Sequence, residues 1–189
     1  MKGRESGMPG EDAWAEFFDA DAAMALLWPD ASGDVVELGS GYGTFTVAAA
    51  KRTTGRVNAL DIEPEMVAHT QARASALGLS NVHATLRDIV TDGLGLVPGS
   101  QSHAMVYNLL HLEEPVALLR IVREGLRPGA TISVMHWRVD MPTPRGPSLS
   151  IRPSPGDCRR WLEEVGFSSV GDVDLGPACP FHYGLVARR

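Results

Sequence analysis

Val35-Val36-Glu37-Leu38-Gly39-Ser40-Gly41-Tyr42-Gly43 is the stretch that decides the fold. Val35, Val36 and Leu38 read as a short apolar strand that runs into a loop with glycine at every second position. Thr44 follows, and Phe45, Val47, Ala48, Ala49 and Ala50 open a helix. Strand, glycine loop and helix start in that order make the motif meaningful, which glycines alone do not. Without a Cβ, such a loop can turn sharply and lay its backbone against a ligand.

Two details argue against a dinucleotide. The glycines are spaced Gly-x-Gly-x-Gly, whereas the dinucleotide fingerprint is Gly-x-Gly-x-x-Gly. Glu37, at the end of the strand, places a carboxylate where it repels a pyrophosphate and attracts a ligand carrying an ammonium and a sulfonium. An acid followed by Gly-x-Gly-x-Gly resembles the first motif of the class I S-adenosylmethionine-dependent methyltransferases. The resemblance covers the chain from roughly Trp14 to the end. It implies that Glu37, Gly39, Ser40, Gly41, Tyr42 and Gly43 bind S-adenosylmethionine, with Tyr42 and Trp14 near the sulfonium, where an aromatic face favours a cation.

Two further acids fall in the matching order. The second strand, Arg56 to Asp61, ends in Asp61, 18 residues past Gly43 and near the spacing of about 20 at which this architecture places a ribose-binding acid. Two carboxylate oxygens can accept from two vicinal hydroxyls at once. A third strand, Val82 to Leu86, leads to Asp88, which matches the family position that accepts from the adenine amino group. Ile62 and Ile89 are then the apolar flanks of the ring. Asn108, near the end of the fourth strand, completes the cofactor set.

Composition narrows the alternatives. The chain of 189 residues carries a formal net charge of −6 and no basic run longer than the pairs Lys51-Arg52, Arg159-Arg160 and Arg188-Arg189, which speaks against nucleic acid as the main partner. Lys2 and Lys51 are its only lysines, so neither a phosphate-loop lysine nor a Tyr-x-x-x-Lys pair is available. Cys158 and Cys179 lack metal-ligand spacing and read as reduced thiols of a cytoplasmic protein. No metal site, signal peptide or membrane span is expected.

In chain order, residues 1–10 are polar and glycine-rich and read as a flexible terminus, ahead of a single domain over 11–189. Trp14, Phe17, Phe18, Ala22, Ala25 and Trp28 repeat at helical spacing, so one helix from Glu11 to Pro29 is expected. In the family such a helix often covers the cofactor, which makes Trp14 and Phe18 lid residues. Pro64 opens the helix that Gly78 stops. The fourth strand is read at His103 to Leu109, and a helix starting at Glu113-Glu114-Pro115 follows. A Leu126-Arg127-Pro128-Gly129 turn leads into a fifth strand, Ala130 to Trp137. Asp140 to Pro155 is proline-rich without periodicity. A helix over Asp157 to Val165 and strands near Ser169 to Leu175 and His182 to Ala187 close the chain.

Alternating strands and helices imply an α/β fold, a Rossmann-like doubly wound sheet with helices on both faces. The turn between the last two strands is too short for a crossover, so one strand runs antiparallel. The family implies seven strands. It also implies methyl transfer by in-line displacement, which positioning in a water-poor site can accelerate without a triad or a metal.

The acceptor is less legible. Tyr107-Asn108-Leu109-Leu110-His111 departs from the Asn/Asp-Pro-Pro-aromatic signature of enzymes that methylate base amino groups, and points toward a small-molecule acceptor. A protein or RNA methyltransferase and a non-catalytic S-adenosylmethionine-binding module remain alternatives. With no large insertion, the pocket is built from strand-end loops, the N-terminal helix or a second subunit, which leaves a homodimer open. His111 is the candidate general base, because an oxygen nucleophile must lose a proton. Trp14, Phe18, His136, Trp137 and Arg145 are candidate substrate contacts.

Overall fold

The computed structural model describes residues 9–189, so the expected flexible terminus lies, apart from Pro9 and Gly10, outside the described residues. Seven strands form one sheet: β1 (Val35–Leu38), β2 (Val57–Asp61), β3 (Val82–Leu86), β4 (Gln101–Tyr107), β5 (Leu126–Trp137), β6 (Ser168–Val173) and β7 (His182–Arg188). Their spatial order is β3-β2-β1-β4-β5-β7-β6. The first five pair in parallel, and β7 runs antiparallel to both β5 and β6. This is the doubly wound, mostly parallel sheet expected from the alternation of elements.

The central strands are apolar on both faces because helices cover both. Ala23, Met24 and Leu27 of α2 (Ala20–Leu27), Ala48 and Ala49 of α3 (Thr44–Arg52) and Ala74 of α4 (Pro64–Ala76) pack on Val35, Val57 and Met105. On the other face, Leu118, Leu119 and Val122 of α6 (Pro115–Gly125) and Cys158 and Leu162 of α7 (Pro155–Glu164) pack on Val36, Val106 and Ile132. Odd and even residues of one strand thus feed two different cores, as the period of two in strands requires. Among the described residues the remaining helices are α1 (Glu11–Ala15), the single turn α5 (Ile89–Asp92) and a 3-10 turn at Gly176–Ala178, the last two of which the sequence reading lacks.

Several boundaries differ from expectation. The single N-terminal helix is two, because the Asp19 carboxylate accepts the Ala22 N–H at 3.0 Å and caps α2, while the Asp19 N–H turns away to the Ala178 carbonyl at 2.7 Å. Aspartate is a strong N-cap residue, and it overrides the continuous aromatic spacing. β4 starts at Gln101 and ends at Tyr107, since Asn108 adopts φ +55° and leaves the strand. Leu126–Gly129 belongs to β5, where Leu126 pairs with Gln101 across a register shift.

Candidate active site

Strand order reverses between β1 and β4, both paired to each other in parallel at the centre of the sheet. A crevice outside the carboxyl ends of such strands is where open α/β sheets bind ligands. Here it is a cavity of about 880 Å³, lined from the β1 side by Glu37 and Gly39 to Tyr42 and from the β4 side by Asn108, Leu109 and His111.

The β1 loop is held by its own backbone and by Asp61. Gly39, Gly41 and Gly43 all have positive φ (70°, 53° and 72°), a region that L side chains avoid. A Cβ on Gly39 would lie 3.3 Å from the Leu109 methyl groups, and one on Gly43 would lie 3.1 Å from Thr70 Oγ1. The Asp61 carboxylate accepts the Gly41 N–H at 2.8 Å and the Glu63 N–H at 2.9 Å. Glu37, only 3 % exposed, accepts a hydrogen bond from the Thr46 hydroxyl in the first turn of α3. Burial pushes its carboxyl up to about 8, against the opposing pull of Thr46 and with the nearby Asp61 charge adding to the rise.

At the β2 and β3 end, Asp61, Ile62, Asp88 and Ile89 line the cavity together with Glu63, Glu65, Met66 and Arg87. Oδ1 of Asp88 also accepts from the Val90 and Thr91 N–H groups, which caps α5.

The β4 and β5 end is aromatic. Trp14 and Trp137 line it, 6.5 Å apart between ring centroids, with Pro144, Arg145, Gly146 and Pro147 beside them. His111 Nδ1 lies 3.2 Å from His136 Nε2. His136 is fully buried, and burial first, then His111, lowers its pKa to about 3. Nδ2 of Asn108 donates to His182 Nε2 at 3.3 Å, while Asn108 Oδ1 is buried with no hydrogen-bond partner.

Three expected residues do not reach the cavity. Gly43 lies behind the loop against Thr70, where it caps α3. Phe18 packs on Phe45 and His182, at 5.2 and 4.8 Å between centroids. His136 stands behind His111. Two other contributions escape sequence reading. Pro9 is buried, lines the cavity and accepts the Tyr42 hydroxyl at 2.9 Å. Tyr107 and Leu118 also line it. Arg152, in the same loop as the candidate Arg145, organises residues 140–155 by donating to the carbonyls of Arg138 (2.6 Å) and Pro147 (2.8 Å) and to Thr143 Oγ1 (2.9 Å). Among the described residues, no group of three or more His, Cys, Asp or Glu side chains is placed to hold a metal, and no helix is long and apolar enough to cross a membrane.

The sheet order and the cavity at its switch point define a doubly wound α/β fold whose glycine loop is preceded by a buried acid. The residues present fit S-adenosylmethionine. Gly39 and Gly41 line the cavity without a Cβ, Asp61 holds acceptor capacity beside them, and the orphaned Asn108 Oδ1 is a buried acceptor open to a donor. The family model of the methyltransferase domain matches residues 35–129, half of the chain, and the chain belongs to that family. It is a class I S-adenosylmethionine-dependent methyltransferase.

No curated protein sequence matches the chain. Among solved structures, an S-adenosylmethionine-dependent methyltransferase from Aquifex aeolicus is 22 % identical with a TM-score of 0.78, over 92 % of this chain and 90 % of that one. Another from Mesorhizobium loti is 19 % identical (TM-score 0.70), over 89 % and 96 %. The [4+2]-cyclase SpnF is 16 % identical (TM-score 0.69), over 90 % and 79 %. At these identities the likeness is one of fold.

Proposed function

We propose that this methyltransferase acts on a small molecule, that residues 11–189 form its single domain, and that His111 is the base that receives the acceptor's proton. The observation that carries the reading is the shared cavity of about 880 Å³, in which the glycine loop and an aromatic wall of Trp14 and Trp137 face one hollow. Drug-sized ligands occupy clefts of a few hundred to about 1,000 Å³, so the hollow suits a cofactor and a compact acceptor. Two unpaired thiols, Cys158 and Cys179, both pushed up to about 12 by burial, fit a reducing cytoplasm.

In this reading Glu37 faces the ammonium of the cofactor's amino acid, Asp61 takes the ribose diol, and Asp88 with Ile62 and Ile89 receives the adenine. Ser40, Gly41, Tyr42 and Asn108 complete the cradle. Bound there, S-adenosylmethionine supplies an electrophilic methyl group. The chain's contribution is to align the acceptor, exclude water and accept a proton. Labelled methyl transfer into a cell extract fractionated by size tests the proposal. Label in the low-molecular-weight fraction supports it, whereas label confined to protein or RNA refutes it.

A further inference from the structure

The two ends of the cavity differ in charge. The carboxylates that line it, Glu37, Asp61, Glu63, Glu65 and Asp88, belong to the β1, β2 and β3 strands or to the segments that follow them. From Tyr107 onward the described lining holds no acid. One lining arginine, Arg87, sits among the acids and donates to the Asp92 carbonyl at 2.9 Å. The other, Arg145, lines the far end with Trp14 and Trp137. The Arg145 carbonyl is tied down by the Thr143 hydroxyl at 2.7 Å and by Arg152 at 3.4 Å, whereas its exposed guanidinium has no partner among the described residues.

The loop that presents Arg145 is fixed against the aromatic wall. Gly146 has φ +111°, and a Cβ there would lie 2.8 Å from Trp137 Cγ and 2.9 Å from Arg152 Nη2. Glycine therefore lets the main chain lie on the indole. Arg152 holds the loop through neutral oxygens, the carbonyls of Arg138, Arg145 and Pro147 and the Thr143 hydroxyl, and no carboxylate pairs with it among the described residues. Arg138 is already matched by Asp140 at 2.6 Å. Two guanidiniums without a counter-ion thus share the acceptor end. An amine acceptor, cationic at neutral pH, is repelled there, and an anion is attracted.

Resting on the small-molecule reading above, we infer that Arg145 is a specificity-determining residue and that the methyl acceptor is a small aromatic carboxylic acid. Its carboxylate pairs with the Arg145 guanidinium, and its ring packs on the wall of Trp14 and Trp137, whose own rings meet edge-on at 67°. A further ring added to such a wall gains both buried area and edge-to-face contact. One guanidinium offers two parallel N–H groups, which match the two oxygens of a carboxylate. A phosphate dianion calls for further donors, and those of Arg152 are taken up by the loop itself.

Simple probes titrated by ligand-observed NMR into protein loaded with S-adenosylhomocysteine read this subsite without turnover. Benzoate should bind more tightly than benzamide, acetate or phenyl phosphate. Arg145→Gln should weaken benzoate by about 10-fold or more, the scale of a lost charge-assisted hydrogen bond, with S-adenosylhomocysteine affinity unchanged. The Arg145 side chain bonds nothing in the described fold, so this variant should remain folded. No benzoate binding, benzamide binding as tight as benzoate, or equal benzoate affinity in the variant overturns the assignment of Arg145. Acetate as tight as benzoate overturns the aromatic ring, and phenyl phosphate tighter than benzoate overturns the carboxylate. Labelled methyl transfer into a cell extract, separated beforehand by size and then on an anion-exchange resin at pH 7, gives the acceptor class, where label is expected in the retained small molecules. Label confined to unretained small molecules refutes the anionic class and leaves the small-molecule reading standing. Label confined to protein or RNA refutes both.

Discussion

The carboxylate of Asp61 accepts the backbone N–H of Gly41 at 2.8 Å, across 20 residues of chain. The acid proposed to take the ribose therefore also ties down the glycine loop. Asp61→Ala removes both and should weaken S-adenosylmethionine binding by about 1–3 kcal/mol, the cost of leaving buried polar groups unpaired. Calorimetry on folded protein measures it. Unchanged affinity would remove Asp61 from the site.

Glu37 should make cofactor binding release a proton. Its folded value, about 8, lies above its usual 4.5, so at pH 7 its carboxyl is mostly protonated in the buried position. A cationic ammonium set against it favours the ionised form, and the proton leaves. Binding enthalpies at pH 7 in buffers of different ionisation enthalpy should differ accordingly, and Glu37→Gln should abolish the difference. No proton release in the wild type would mean that Glu37 does not meet the ammonium.

The three deeply buried histidines make folding sensitive to mild acid. Burial lowers His103, His136 and His182 from 6.5 to about 3. The unfolded chain binds more protons below pH 6.5, so their contribution is full above that pH and is lost as pH falls toward 3. Glu37 acts in the opposite sense between pH 8 and 4.5. His103 stacks on Trp28 and bonds Thr131 and Ser133 at 2.7 and 2.9 Å. His103→Phe should lower Tm at pH 7, yet Tm should then fall less steeply between pH 6.5 and 4.5 than in the wild type. Parallel slopes would show that His103 is not held neutral.

Gly41 has φ +53°, where a β-branched residue is strained by roughly 1–2 kcal/mol. Gly41→Val should leave a folded protein by circular dichroism without measurable cofactor affinity. Normal affinity would show that the loop backbone does not approach the ligand at this point.

Arg152 should separate the two ends of the cavity. It holds the Pro144–Pro147 wall through the Arg138 and Pro147 carbonyls. Arg152→Ala should raise the KM for the acceptor several-fold and leave S-adenosylmethionine affinity unchanged, as read by steady-state kinetics and calorimetry. An equal loss of both would mean that the loop supports the whole cavity.

What the sequence made legible follows from the range of the interactions involved. Val35 to Gly43 announces strand, loop and helix within nine residues, because each glycine answers a local backbone demand. Asp61 and Asp88 are legible through spacing, since Asp61 ends β2 and Asp88 lies two residues past the end of β3. Leu126 and Gln101 show the limit. Both look like turn or loop residues alone, and they become strand only by pairing with each other. The same holds for Phe18, whose aromatic ring suggested a ligand contact but is turned onto Phe45 and His182. His136 and His111 were separable only by depth, which depends on what covers β5.

The segment from Pro9 to Trp14 bridges both ends of the cavity. Pro9 holds the Tyr42 hydroxyl, and Glu11 pairs with Arg73 and His69 at 3.1 and 3.0 Å, beside the cofactor cradle. Trp14, a few residues on, packs edge-on against Trp137 in the acceptor wall. The two ends of the hollow therefore share one short N-terminal brace, with Pro9 and Glu11 anchoring it on one side and Trp14 on the other.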